Sequence, residues 1–292
     1  MEAEWNVIFR FIWSCYFSKY FWPADGHLNM SVLDLPYNEI VVTGCSYSCG
    51  TEMNDHLLPK FGSEDERRTA VWKWCMKNLK LKSKKIEDLE DISNSYWSKL
   101  ERQNSWPALL QKKLNIPVTN LSKIGASIGH SLITYLEFLK NVDKDKKILT
   151  IHQLPYMARM HIRFDEEHGR IPVLPLHADS KSTFGFAREH FREKINRVHG
   201  IYKHRVTSKG YVKKHYWKVL NRLHTLSTKN LIKNFYIFPG PEETLMSTSL
   251  ECNILLKDFT DFRSNYPKGK FRHPIGPAFN TDMCKIIMST CF

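Results

Sequence analysis

The residues best suited to chemistry lie in Asn38–Glu52, which reads N-E-I-V-V-T-G-C-S-Y-S-C-G-T-E. Ile40, Val41 and Val42 form a β-branched run that predicts a short buried strand. The run ends in Thr43-Gly44-Cys45-Ser46-Tyr47. A glycine directly after a strand, followed by a small hydroxyl residue, suits a tight strand-to-helix turn. Such a turn presents a side chain at the C-terminal edge of an α/β sheet, where open sheets build their sites. Ser46 is therefore a candidate nucleophile near backbone N–H groups. The same serine also suits a plain helix cap. Cys45 and Cys49 offer a thiol instead, which needs a lowered pKa to react. Small cysteines beside a strand end also serve as core.

The elements that must position these groups recur along the chain. Ile116–Leu121, Lys147–His152 and Lys233–Phe238 predict three further strands. Between them, Ser105-Trp106-Pro107 opens a helix whose apolar stripe is Leu109, Leu110 and Leu114, with Ser105 as cap and Pro107 in the first turn. Ile128–Leu139 and Phe279–Met288 also read as helices. Residues 163–186 read as irregular, and Cys252–Phe262 as mixed. Phe186–Leu226 is mainly helical and strongly basic, broken near Thr207–Gly210. Four strands alternating with helices predict a parallel sheet covered on both faces. The C-terminal strand ends then stand side by side. They carry Ser46, Gly125 and Gln153, with His273 on a late loop before the last helix.

The chain has 292 residues, 42% of them hydrophobic, which is enough to bury a sizeable core and excludes a disordered class. The formal net charge is +13, an excess that attracts anionic partners or aids solubility. Seven cysteines, an odd number without zinc-type pairing, point to a reducing, cytoplasmic compartment rather than a disulfide framework. His152, His161 and His168 read as loop or rim residues, and no His/Cys cluster has metal-ligand spacing. Residues 1–30 stand apart as an N-terminal extension. Its aromatic run, Trp5–Trp22, is interrupted by Arg10 and Lys19 and is barely long enough to span a bilayer. An interfacial helix on a membrane surface is the other reading of that run.

The constellation resembles the SGNH (GDSL-type) hydrolase superfamily of esterases, lipases and acylhydrolases. The carrying residues are Gly44-Cys45-Ser46-Tyr47 for the first block, Gly50-Thr51-Glu52, the Ser105–Leu110 helix, Asn120-Leu121…Gly125-Ala126-Ser127, and Phe271-Arg272-His273-Pro274 for the last block. The likeness spans about residues 38–290, within a domain of 31–292 that has insertions at about 57–104 and 163–225. It implies a flavodoxin-like three-layer α/β fold, no cofactor, and a small-molecule, carbohydrate or lipid ester as substrate. It also implies Ser46 as nucleophile and His273 as general base. Backbone N–H groups of Ser46 and Gly125 would serve as oxyanion donors, and Gln153 would stand where the family places an asparagine. Cys45 replaces the first-block aspartate, and Lys270 replaces the aspartate that usually precedes the histidine. Asp258, Asp261 or a backbone carbonyl would then take the place of that aspartate; otherwise the site is a Ser–His dyad.

A different class remains open. Lys203, Arg205, Lys213, Lys214 and Lys218 are interleaved with Tyr202, Tyr211, Tyr216 and Trp217. This pattern has the ingredients for phosphate contacts and stacking, so nucleic acid is one possible partner. The alternative is thus a catalytically impaired SGNH-fold protein that binds an anionic partner through its basic helical insertion.

Overall fold

The strand run Glu39–Thr43 (β1) is buried along its whole length, as its β-branched composition requires of a central strand. It pairs in parallel with Val118–Asn120 (β2) on one side and Ile148–Gln153 (β3) on the other. β3 pairs in parallel with Lys233–Ile237 (β6), and β6 with Ile254–Leu256 (β7). The sheet order is β2-β1-β3-β6-β7, all parallel. This is the flavodoxin-like order, whose switch point lies between β1 and β3. The computed structural model describes residues 36–79, 96–143, 145–157, 159–165, 169–173, 209–245, 247–248, 250–269 and 273–292. The expected extension at 1–30 and residues 174–208 of the basic insertion lie outside the described residues.

Helices cover both faces. Ile128–Asn141 (α4) packs on Lys209–Lys229 (α5), and the two share a core with the sheet through Tyr135, Tyr216, Leu220, Leu223 and Tyr236. Trp106–Leu114 (α3) packs on Pro277–Cys291 (α8). The Trp106 N–H donates to Asn280 Oδ1 at 2.9 Å, tying the start of α3 to α8. Single-turn Ser46–Cys49 (α1), the longer Glu64–Leu79 (α2), and the short Pro241–Leu245 (α6) and Phe259–Ser264 (α7) complete the helices named here. The architecture is a three-layer α/β fold. Among the described residues no helix is long and apolar enough to cross a membrane.

Three local differences from the sequence reading have physical causes. Met160–Asp165 (β4) and Gly169–Val173 (β5) pair as a separate antiparallel hairpin where irregular chain was expected. β7 is a fifth strand within the segment read as mixed; its three residues are too few to show a period. His152 is a fully buried core residue inside β3 rather than a rim residue. Its Nδ1 lies 2.8 Å from Thr43 Oγ1, its cross-strand partner, and burial lowers its pKa to about 3.

Candidate active site

Cys45 leaves β1 in an extended conformation and Ser46 begins α1. The helix lasts one turn because Gly50 ends it at φ 78, and its N–H caps the Ser46 and Tyr47 carbonyls. Only glycine suits this position. A Cβ there would also lie 2.4 Å from the Glu101 carbonyl oxygen. Two residues later Glu52 is again left-handed, at φ 63. A non-glycine residue there costs on the order of 1–2 kcal/mol. The Glu52 N–H offsets part of this cost by donating to Glu101 Oε1 at 2.9 Å.

These two left-handed residues turn the chain back on itself, so that the Glu52 side chain meets His273. His273 Nδ1 lies 2.8 Å from Glu52 Oε2, and the His273 backbone N–H donates to the same oxygen at 3.0 Å. On the other edge of the ring, Nε2 lies 2.7 Å from Ser46 Oγ. A carboxylate only accepts, so Nδ1 carries the proton and Nε2 accepts from the serine hydroxyl. The result is a continuous Ser–His–Glu chain of hydrogen bonds. Ser46 is 2% exposed and Glu52 0%.

The surroundings hold each member in place. Lys268 bridges Pro274 and the Gly269 N–H donates to the His273 carbonyl at 2.8 Å, forming a tight turn behind the histidine. Gly269 is required by close approach: a Cβ there would stand 2.8 Å from Glu52 Oε1 and 2.9 Å from Cδ. The Gly276 N–H donates to Met53 O at 2.9 Å, clamping the turn to the segment after Glu52. Tyr47 packs edge-on against the His273 ring, with centroids 4.9 Å apart. Beneath Glu52, Arg67 grips Asp55 with two bonds of 2.9 Å and reaches Glu101 at 3.1 Å. Burial pushes the Glu101 carboxyl up to about 7 despite this guanidinium.

The other expected site residues fall as follows. Gly125 adopts φ 72 in the loop between β2 and α4. The Lys123 N–H donates to Gly44 O at 3.3 Å, which ties that loop to the chain beside Ser46. Gln153 ends β3 and is 2% exposed. Its Oε1 accepts from the Ser48 hydroxyl and its Nε2 faces Cys45 Sγ at 3.9 Å, so its amide is engaged within the wall of the site. The carboxylate on His273 differs from the expected pair. Asp258 caps α7, accepting from the Asp261 N–H at 2.9 Å, and Glu52 holds Nδ1 instead. The signal for Glu52 was its place in Gly50-Thr51-Glu52, six residues after the serine. Burial raises the pKa of the Cys45 thiol and pushes that of Cys49 up to about 12, which opposes a thiolate at either position. Among the described residues no group of three His, Cys, Asp or Glu side chains is placed to hold a metal.

No protein-family model and no curated protein matches the sequence. Among solved structures, the chain is similar to the psychrotrophic esterase EstA from Pseudoalteromonas sp., in a structure inhibited by monoethylphosphonate, at 12% identity and a TM-score of 0.41, covering 87% of this chain and 96% of that one.

Proposed function

We propose that this protein is an ester hydrolase that works through a serine acyl-enzyme. The observation that carries the proposal is the hydrogen-bonded chain from Ser46 Oγ through the His273 ring to Glu52 Oε2, at 2.7 and 2.8 Å. A serine hydroxyl is a weak nucleophile until an imidazole in hydrogen-bond reach takes its proton, and that imidazole needs an acceptor to fix its tautomer. Ser46 Oγ attacks the ester carbonyl as its proton passes to His273 Nε2. The tetrahedral oxyanion collapses, the C–O bond to the alcohol breaks, and His273 returns the proton to the leaving oxygen. Water then repeats the sequence on the acyl-enzyme, releasing the acid and free Ser46. Glu52 holds the ring and offsets the charge of the transient imidazolium. The backbone N–H groups of Ser46 and Gly125 are the proposed oxyanion donors, with Gln153 contributing if its amide turns from Cys45.

Hydrolysis of short p-nitrophenyl esters tests the reading. Wild type should turn over, and Ser46→Ala should lose on the order of 10³-fold or more in kcat. Turnover that survives Ser46→Ala, or a wild type inert toward every ester, would remove the proposal.

A further inference from the structure

Beyond the Ser–His–Glu chain, the C-terminal edge of β3 brings a second charged group toward Ser46. After Gln153 the chain turns at Tyr156, and the Arg159 N–H donates to the Tyr156 carbonyl at 3.0 Å. That turn is anchored to α7 and to the chain just after β6. The Tyr156 hydroxyl bonds Thr260 Oγ1 at 2.8 Å, and Thr260 donates to the Pro239 carbonyl at 2.6 Å. The Arg159 guanidinium folds over the Tyr156 ring, 5.8 Å from its centroid. It lies beside the Cys45 thiol, the neighbour of Ser46, and favours the ionised thiol against the burial that opposes it.

The partners of this guanidinium are incomplete. Arg159 Nη1 is buried and has no hydrogen-bond partner, and no carboxylate pairs with Arg159 among the described residues. A carboxylate beside this turn, Glu243, accepts from the Met157 N–H at 3.4 Å, and burial raises its pKa. Arg159 is half-buried as a residue, but its Nη1 is a donor shut off from water with no acceptor, which is unfavourable until an acceptor is supplied. Such a group fits a site whose missing anion arrives with the ligand. A second guanidinium, Arg263, stands over the Tyr47 ring at 5.2 Å. The residues flanking Ser46 in the chain, Cys45 and Tyr47, thus each have an arginine as neighbour.

We propose that Arg159 recognises a permanent anionic group on the substrate, a carboxylate or a phosphate close to the scissile ester. This inference rests on the hydrolase reading of Ser46 for its catalytic part, though not for its binding part. A permanent anion fits better than the transient oxyanion. It would pair with Nη1 throughout binding, whereas the oxyanion exists only during the acyl-transfer steps.

Two measurements separate the inference from the hydrolase reading. The first is the ratio of kcat/KM for mono-p-nitrophenyl glutarate over p-nitrophenyl butyrate. Wild type should favour the anionic ester. Arg159→Met should lower that ratio about 10–100-fold, the worth of one charged hydrogen-bonded contact, with Arg159→Lys in between. The second is calorimetric binding of glutarate to the intact chain, which needs no turnover. It should weaken about tenfold or more in Arg159→Met, and neutral glutaramide should not compete. An unchanged ratio together with unchanged glutarate binding overturns the inference. So does a fall of both substrates in step, which would make Arg159 an oxyanion donor or a scaffold residue. If Arg159→Met does not fold, wild type decides alone: no preference for the anionic ester and no glutarate binding contradicts the inference. Arg159-dependent glutarate binding without any ester turnover would overturn the hydrolase reading and keep this one.

Discussion

Glu52 and His273 are 221 residues apart in sequence, yet one carboxylate oxygen of Glu52 receives both the ring Nδ1 and the backbone N–H of His273. This double contact fixes the imidazole in position as well as in tautomer. It also links the two ends of the domain at the point where the proposed chemistry occurs.

Removing that carboxylate should therefore damage rate more than fold. Glu52→Gln keeps the shape but loses the negative charge, and its amide N–H, when turned to Nδ1, selects the wrong tautomer. A fall in kcat of roughly 10²–10⁴ is expected, by analogy with triads that lose their acid. Glu52→Asp, one methylene shorter, should lose less. Steady-state kinetics on a p-nitrophenyl ester check this, and wild-type kcat in Glu52→Gln would show that His273 does not depend on Glu52.

Gly269 tests the same contact from the other side. Gly269→Ala places a methyl group 2.8 Å from Glu52 Oε1, so either the carboxylate or the turn must shift. A misplacement near 1 Å in a catalytic array costs up to about 10²-fold in rate. The expected result is a fall of about 10–100-fold in kcat with the domain still folded by circular dichroism. An unaffected rate would mean that the turn moves aside freely.

Stability should carry the mark of Glu101. Its carboxyl is raised to about 7 by burial, so the folded state holds a proton that the unfolded state releases near pH 4.5. The resulting stability is fully present below pH 4.5 and is lost as pH rises through about 7. The sign follows because the folded chain binds more protons across that window. Glu101→Gln keeps an oxygen for the Glu52 N–H and removes the titration. Relative to this variant, wild type should lose about 2–3 kcal/mol between pH 4.5 and 8, read from urea unfolding. A constant difference between the two proteins would contradict it.

The thiols should be spectators. Cys45→Ser should keep ester turnover within about tenfold, because burial raises the pKa of the thiol and makes the thiolate scarce. Inactivation by Cys45→Ser with Ser46→Ala still active would instead assign the nucleophile to sulfur.

Much of this site was legible in the chain. Ile40–Val42 announced a buried strand, Gly44 and Ser46 marked the turn after it, and His273-Pro274 stood before the last helix. The parallel direction of the strands followed from their alternation with helices, whereas their order is seen only in the structure. Glu52 stood in view in Gly50-Thr51-Glu52, but its contact with His273 was not legible. Its role depends on the left-handed backbone at Glu52 and on a side-chain-free approach by Gly269, both set by contacts between distant segments. Asp258 and Asp261 are the carboxylates that the sequence offers in place of the missing aspartate, but Asp258 caps α7. His152 read as a rim residue at the end of its strand, yet the pairing of β1 with β3 sets it opposite Thr43 in the core. The amide of Gln153 was visible as a type, but not its engagement by Ser48 and Cys45.

The most direct test of the account is covalent labelling with a fluorophosphonate, followed by peptide mapping. The reagent reports an activated serine whatever the natural ester is. Wild type should take up one label per chain, on the peptide that contains Ser46. Ser46→Ala should take up none, and His273→Ala should label far more slowly because its serine keeps its proton. An unlabelled wild type, or a label on any residue other than Ser46, would contradict the account.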